Sequence, residues 1–269
     1  IGDIYTGIGI SSLAEFESYL SQNDIDIKRV KEKISIEIAW NDLVVKTFKN
    51  EIEINQDLLS KEVENFDKEI PDIIARLNSS YLFLQGPPGT GKTFQSANAI
   101  VELLKKNKRI AVTANSHKVI HNLLERVEKI AEKQSFLFKG LKMGNPDNED
   151  TFYKGKLIKT DKNERHYIDG LKERNTLLYA GTKYHLSQWY YRSKIDYLFI
   201  DEASQLSIAD LIALGGVAKN IILVGDQLQL GQPTQGSHPG LSNNSVLDYL
   251  LQGKDTVEDN RGIFLSRTY

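Results

Sequence analysis

A glycine-rich segment at residues 86–93 has the residue types and spacing of a phosphate-binding loop. Its sequence, GPPGTGKT, fits G-x-x-x-x-G-K-[ST], follows an apolar run at 81–84 and precedes a helical pattern. The glycines allow successive N–H groups to turn toward a phosphate at the positive end of the next helix. We expect Lys92 to reach the β- and γ-phosphates of a nucleotide and the Thr93 hydroxyl to ligate Mg²⁺. An ordinary Gly/Pro turn, the alternative, does not require all four fixed positions. The loop residues are Gly86, Pro87, Pro88, Gly89, Thr90, Gly91, Lys92 and Thr93.

Two acidic residues, Asp201 and Glu202, lie at the end of another apolar run with strand character. This position places one carboxylate near a metal ion bound at Thr93 and a second where it can orient or deprotonate water. Asp201 is then expected to hold Mg²⁺ through its hydration shell, with Glu202 as the base. The alternative is a pair of acids at a helix N-terminus, where the helix dipole favours them. The phosphate-binding loop upstream favours the catalytic interpretation.

Polar segments follow two further apolar runs. The loop 225–233, GDQLQLGQP, is expected to face the γ-phosphate, so that a glutamine senses whether this phosphate is present; a plain surface turn is the alternative. Thr113, Asn115 and Ser116 precede a helical pattern and form a candidate phosphate seat away from the nucleotide loop, suited to a nucleic-acid backbone. Helix capping by Asn115 or Ser116 alone would also explain these residues.

The segment 133–174 mixes charged and aromatic residues. It contains ten Lys or Arg, seven Asp or Glu, and five aromatic residues. This composition favours a solvated, partly mobile insertion. The alternative is a surface that holds single strands by charge and stacking. The aromatic residues are Phe136, Phe138, Phe152, Tyr153 and Tyr167.

Composition excludes several functional classes. The 269 residues include 34 Lys or Arg and 36 Asp or Glu, so no overall basic field attracts nucleic acid. The absence of cysteine excludes disulfides, thiol catalysis and Cys-based metal sites and suits a reducing compartment. No apolar stretch approaches the roughly 18 to 20 residues of a membrane span, and no signal peptide is recognisable. We therefore expect a cytoplasmic protein without membrane contact. The start at Ile1 and the end at Tyr269, after a strand-like run, suggest a piece of a larger protein.

Strand and helix patterns alternate from residue 81 onward, which predicts an α/β fold with a parallel sheet. The expected strands are nearly continuous in apolar residues, as strands covered on both faces must be. Ligands of such sheets bind beyond the carboxyl ends of the strands, where every polar cluster described above falls. The expected strands are 81–85, 109–114, 177–182, 197–201 and 220–225.

The first 78 residues carry no catalytic motif, and we interpret them as a small accessory region beside the core. Strand patterns occur at 34–40 and 43–48, and helical patterns at 13–20 and 58–77. Pro71 is expected to break or restart the last of these helices.

Five motifs together resemble the first motor domain of superfamily 1 helicases. In order they are GPPGTGKT, TANSHKVIHNLLERV, YAGTKYHLS, DEASQ and GDQLQLGQP. Within the superfamily, the chain looks most like the branch of the nonsense-mediated-decay helicase and the replication nuclease-helicase, and most of all like bacterial or archaeal RecB-like nuclease-helicase fusions. The resemblance implies a RecA-like P-loop NTPase domain at 79–269, with a mainly parallel sheet flanked by helices and an insertion at about 133–176.

This resemblance implies ATP hydrolysis with Mg²⁺, coupled to 5′-to-3′ movement on single-stranded nucleic acid. It makes Gln229 the γ-phosphate contact and places Tyr269 where relatives have an aromatic residue that stacks on adenine. No glutamine that would read adenine is identifiable before the phosphate-binding loop, and Gly231 and Gln232 replace a proline-rich end of the later loop. The positions that match nucleic-acid contacts are Thr113, Asn115, Ser116 and Thr182.

The resemblance also implies a second motor domain and an arginine after Tyr269, neither of which the sequence contains. A partner's arginine finger contributes roughly 10³ to 10⁵ in turnover, so this chain alone is expected to bind Mg-ATP weakly and hydrolyse it very slowly. The nuclease-fusion likeness favours DNA over RNA as substrate.

Two other classes remain open. AAA+ remodelling ATPases share the GPPGTGKT string, although the long separation of Lys92 from Asp201 and the strand ending in Gly225 and Asp226 favour the helicase interpretation. A binding module whose ATPase has decayed is the second, and the intact Lys92, Thr93, Asp201 and Glu202 argue against it.

Overall fold

The computed structural model describes residues 66–226, 245–251, 254, 256–258 and 261–265. The patterns expected at 13–20, 34–40 and 43–48, and the candidate residues Gln229 and Tyr269, lie outside these ranges. The strands are β1 (Tyr81–Gln85), β2 (Ile110–Thr113), β3 (Gly140–Met143), β4 (Ile158–Asp161), β5 (Leu178–Ala180), β6 (Ile195–Ile200), β7 (Ala218–Gly225) and β8 (Gly262–Phe264). The helices are α1 (Phe66–Ala75), α2 (Lys92–Lys105), α3 (His117–Lys133), α4 (Glu164–Glu173), α5 (Lys183–Leu186), α6 (Ile208–Gly215) and α7 (Val246–Leu251).

All eight described strands form one parallel sheet in the order β4-β3-β5-β2-β6-β7-β1-β8. The predicted RecA-like fold with helices flanking a parallel sheet is confirmed. Strand β7 lies between β1, which leads into the glycine-rich loop, and β6, which leads to the acidic pair. The three loops at the carboxyl ends of these strands are therefore neighbours.

Both faces of the sheet are covered by apolar side chains. In β1, Leu82 and Leu84 belong to one buried cluster and Phe83 to the other. This alternation follows from the two-residue period of a strand. It explains why the central strands appear in the sequence as continuous apolar runs, which made all five expected strands recognisable.

Helices α2 and α3 pack together on one face of the sheet. The buried residues of α3 include Ile120, Leu123, Leu124 and Val127, the spacing of one helical face. The helix begins at a cap made by Ser116, whose side chain accepts a hydrogen bond from Val119 N at 3.3 Å. Capping by Ser116, one of the two explanations for this segment, is confirmed.

The interruption expected at Pro71 is wrong, because α1 continues through this residue. Proline removes one intrahelical hydrogen bond. Burial of Ile70, Ile73 and Ile74, with α1 packed on α2, offsets this loss.

The segment 133–176 is structured differently from the expected solvated insertion. It supplies β3, β4 and α4, and so adds two strands to one edge of the sheet. Tyr153 and Tyr167 are buried, as is Phe138, so these three aromatic rings contribute to the core and are not surfaces for base stacking. Their charged residues made β3 and β4 look solvent-exposed in the sequence, although Lys142 in β3 is fully buried.

Candidate nucleotide site and adjacent polar loops

The glycine-rich loop is built by backbone geometry that only glycine adopts without strain. Gly89 and Gly91 have φ angles of 83° and 82°, in the left-handed region. A Cβ atom on Gly86 would lie 2.5 Å from Thr90 Oγ1, closer than real contacts allow. Thr90 Oγ1 is itself held, donating to Pro87 O at 2.8 Å. Since α2 begins at Lys92, this loop presents backbone N–H groups at a helix N-terminus, the geometry that favours phosphate.

Lys92 is buried at the mouth of this loop. Its Nζ donates to the carbonyl oxygens of Gly86 and, at 2.9 Å, Pro87. Burial lowers the pKa of Lys92, while the negative charges of Asp226, Glu202 and Asp201 raise it. The fold thus brings Lys92 into electrostatic contact with acidic residues from the ends of two other strands.

Asp201 lies buried at the end of β6, with 5% of its surface exposed. Burial, with the neighbouring charge of Glu202, raises the pKa of Asp201 to about 6, against opposing effects of a hydrogen bond from Glu202 N and the charge of Lys92. The backbone N–H of Glu202 donates to Asp201 Oδ1 at 3.0 Å. Such a carboxylate gains from a nearby cation, because the positive charge favours its ionised form.

Glu202 has a strained backbone and an unsatisfied carboxylate oxygen. Its φ and ψ angles of 53° and 47° are left-handed, and it begins a short 3₁₀ turn, Ala203–Gln205. Its Oε2 atom is buried without a hydrogen-bond partner among the described residues. The next α-helix, α6, starts only at Ile208 and has its own cap at Ser207. The two acids therefore do not cap an α-helix, which removes that alternative.

Asp226, directly after β7, is a site residue that the sequence analysis did not single out. It is 4% exposed and is the largest electrostatic influence of an acid on Lys92. Its position at the carboxyl end of the strand between β1 and β6 could have identified it. The family resemblance pointed instead to Gln229 in the same loop, a residue outside the described ranges.

The candidate nucleic-acid residues also lie at the carboxyl ends of strands in the sheet. Thr113 ends β2 and is buried, and its hydroxyl has no hydrogen-bond partner in the part of the chain that the structure describes. Asn115 is exposed, and its Nδ2 donates to Gln205 O at 2.9 Å. Thr182 precedes α5 without a side-chain capping bond. Because β2 pairs with β5, with Val112 opposite Ala180, the loops carrying these residues are adjacent.

Neither a membrane-spanning helix nor a metal-binding cluster occurs among the described residues. None of their helices is long and apolar enough to cross a membrane. They also contain no group of three or more His, Cys, Asp or Glu side chains arranged to hold a metal ion.

A family model described as an AAA domain matches residues 72–242, which is more than half of the chain. That description alone does not separate helicase motors from remodelling ATPases, which share the GPPGTGKT string.

Three fungal proteins named as helicases match the chain. The Saccharomyces cerevisiae "DNA replication ATP-dependent helicase/nuclease DNA2" is 30% identical over 170 residues, covering 61% of this chain and 10% of the relative. The S. cerevisiae "DNA polymerase alpha-associated DNA helicase A" is 32% identical over 104 residues, covering 38% of this chain and 13% of the relative. The Schizosaccharomyces pombe "DNA replication ATP-dependent helicase/nuclease dna2" is 27% identical over 150 residues, covering 56% and 10%. The chain thus spans about a tenth of the length of these relatives.

Solved helicase structures also match, at low similarity. The Pif1 helicase from Candida albicans has a TM-score of 0.38 and 19% identity, with 77% of this chain and 40% of that chain covered. The Arterivirus nonstructural protein 10 (helicase) in complex with DNA has a TM-score of 0.39 and 15% identity, with 81% and 38% covered.

The family match covers the glycine-rich loop, the acidic pair and the polar loops between them. The chain therefore belongs to the AAA domain family.

Proposed function

We propose that this chain is the first motor domain of a superfamily 1 helicase that couples ATP hydrolysis to 5′-to-3′ movement along single-stranded DNA. One observation carries the proposal: Lys92 of the glycine-rich loop lies within electrostatic reach of Asp226, Glu202 and Asp201. Nucleoside triphosphate hydrolysis requires a positively charged side chain that binds phosphate, next to acids that can hold Mg²⁺ and activate water.

Each part of the nucleotide site has a role in this proposal. The backbone N–H groups of Gly89 and Gly91 bind phosphate oxygens, and Lys92 neutralises the β- and γ-phosphates. Glu202, whose Oε2 atom has no hydrogen-bond partner among the described residues, orients the attacking water and accepts its proton. Gln229 contacts the γ-phosphate and Tyr269 stacks on adenine, as the family resemblance implies.

The residues present also fit Mg²⁺. This cation prefers oxygen ligands and is usually held through one or two carboxylates together with substrate phosphates. Burial and the charge of Glu202 raise the pKa of the Asp201 carboxyl, so its ionised form gains from a nearby cation. Thr93 offers a hydroxyl at the start of α2. When bound there, the cation would neutralise charge on the phosphates.

Single-stranded DNA is the proposed track. Thr113, Asn115, Ser116 and Thr182 lie in adjacent loops beside the nucleotide site, a position suited to a strand's phosphates. The motif resemblance and the helicase/nuclease relatives support three parts of the proposal. These are DNA as the track, the direction of movement and membership of the nuclease-helicase branch. A cytoplasmic location and an accessory role for residues 1–78 complete the proposal.

The decisive test is Glu202→Gln in the full-length protein. The variant should bind ATP but lose turnover by about 10³-fold or more, because water is no longer activated. ATP binding is measured with a fluorescent analogue and turnover by phosphate release in the presence of oligodeoxythymidylate. Glu149→Gln, a charge-matched change at an exposed position, should retain wild-type turnover. Wild-type turnover in Glu202→Gln would contradict the proposal.

The nature of the track follows from the same assay. Oligodeoxythymidylate should stimulate hydrolysis more than oligouridylate, and displacement of streptavidin should be faster from the 3′ end of the strand than from the 5′ end. Greater stimulation by RNA would identify an RNA helicase of the same branch. Stimulation by an unfolded protein, with none by either nucleic acid, would favour an AAA+ remodelling ATPase.

The 269-residue chain should hydrolyse ATP very slowly by itself, because a second motor domain is expected to supply the arginine finger. Nucleic-acid-stimulated turnover at roughly 1 s⁻¹ or faster by this chain would refute that expectation.

A further inference from the structure

A single side-chain hydrogen bond joins the loop after β2 to the turn after β6. Asn115 Nδ2 donates to the carbonyl oxygen of Gln205 at 2.9 Å. Gln205 ends the 3₁₀ turn that Glu202 begins, and Gln205 N donates to Glu202 O at 2.9 Å. Two hydrogen bonds therefore connect the Asn115 amide with the backbone of the proposed catalytic base.

This bond lies beyond the regular pairing of the two strands. The register of β2 and β6 ends with Thr113 opposite Ile200, and Asp201 N donates to Thr113 O at 2.9 Å. Past this point the contact depends on the side chain of Asn115, which is exposed. Because water competes with an exposed hydrogen bond, its net contribution to folding is small. The fold therefore does not depend on this bond, and its function can lie elsewhere.

The turn that receives the bond is sensitive to small displacements. Glu202 has a left-handed backbone, which costs energy in a residue with a Cβ atom and persists only while its surroundings hold it. Gly225 packs against this turn so closely that a Cβ there would lie 3.3 Å from the backbone nitrogens of Ala203 and Ser204. We therefore expect that a change in how Gln205 is held moves the Glu202 carboxylate.

A second contact ties the other candidate strand-binding loop to the same segment. Lys183, directly after Thr182, donates to Asp210 Oδ2 at 2.6 Å. Asp210 also forms the capping box of α6 with Ser207. The segment 202–210 is thus held from both loops in which a strand is proposed to bind.

From these contacts we propose that Asn115 is a positioning residue, which transmits occupancy of the strand-binding loops to Glu202 through the Gln205 carbonyl. The inference rests on the proposed function and deepens it, since it gives nucleic acid a route to stimulate ATP hydrolysis. Asn115 acts through Glu202 and its main effect is on the rate of hydrolysis, whereas a residue that only contacted the strand would mainly change affinity.

The experiment separates rate from affinity in the full-length protein. Asn115→Ala and Asn115→Leu both remove the amide donor, and Asn122→Ala, at an exposed position on α3, is the matched control. Strand affinity is measured by fluorescence anisotropy with labelled oligodeoxythymidylate, and hydrolysis by phosphate release at saturating oligonucleotide. Both Asn115 variants should lose roughly fivefold of the strand-stimulated kcat, the scale of one hydrogen bond. Because Asn115 is one of four proposed strand contacts, their Kd for the strand should weaken by less than about threefold, and their KM for ATP and their Tm should stay close to wild type.

Three results would overturn the inference. A strand Kd weakened about tenfold with an unchanged kcat at saturation would make Asn115 a strand contact only. Wild-type behaviour of both variants would show that the bond transmits nothing. If oligodeoxythymidylate does not stimulate the wild-type protein, the proposed function fails and the inference fails with it; stimulation that survives in both Asn115 variants removes the inference alone.

Discussion

Glu202→Gly should make the chain more stable, although Glu202 is the proposed catalytic base. The wild-type residue has a φ angle of 53°, in the region that favours glycine. Its Oε2 atom is buried without a hydrogen-bond partner among the described residues. Both features cost free energy in the folded state and disappear on substitution by glycine.

The expected gain can be worked from these two terms. Left-handed backbone in a residue with a Cβ atom costs about 1–2 kcal/mol, and a buried unsatisfied polar atom about 1–3 kcal/mol. Glycine loses more backbone entropy on folding, which returns about 0.5–1 kcal/mol. The net gain is about 1–4 kcal/mol, and each kcal/mol corresponds to a rise in Tm of about 2–4 °C for a domain of this size.

The assay is thermal unfolding of the 269-residue chain by circular dichroism, supported by urea titration. Ser193→Gly is the matched control, because Ser193 has a φ angle of 54° and is exposed. That variant removes backbone strain alone and should gain only about 0.5–1 kcal/mol. The difference between the two gains measures the cost of the buried Glu202 carboxylate.

A Glu202→Gly variant that is no more stable than wild type would refute this reasoning. It would mean that the left-handed backbone at Glu202 stores no strain. Equal gains in both variants would instead show that the carboxylate contributes nothing to the cost.

Two further predictions concern the loop and the buried lysine. Gly86→Ala should lower the unfolding free energy by about 1–3 kcal/mol, because its Cβ would lie 2.5 Å from Thr90 Oγ1; in urea titrations, adding Thr90→Ala should recover part of this loss, and full additivity would contradict the clash. Burial lowers the pKa of Lys142 to about 8 in the folded state, below its value of 10.5 when unfolded. Between these two pKa values the unfolded chain binds a proton at Lys142 that the folded chain does not, so stability rises with pH. The unfolding free energy of the wild type relative to Lys142→Met should therefore rise by about 3 kcal/mol between pH 8 and pH 10.5. The exposed Lys139→Met variant is the matched control in the same titrations.

Much of the central sheet could be predicted from the sequence, because its strands are buried on both faces. Strands β3 and β4, with sequences GLKM and IKTD, escaped prediction. A lysine in a short strand normally signals exposure, but Lys142 is fully buried and donates to the carbonyl of Thr151. That contact is tertiary and leaves no local pattern.

The candidate site was predictable to a similar extent. Motif spacing located Lys92, Asp201 and Glu202, because ligands of parallel sheets gather at the carboxyl ends of the strands. The bond from Asn115 to Gln205 could not be foreseen, since it joins residues 90 positions apart through a backbone carbonyl, which any residue type provides.

The place of β1 in the sheet determines when, during synthesis on the ribosome, the glycine-rich loop can form its contacts. The glycine-rich loop follows β1 at residue 85, yet the strands on either side of β1 are β7 and β8, which end at residues 225 and 264. Gly86 N is held by Gly225 O, and Gln85 O accepts from Leu265 N. A nascent chain cannot complete these contacts until Leu265 has emerged from the ribosome. The glycine-rich loop is therefore fixed in place only after the chain from β2 to β8 has been synthesised.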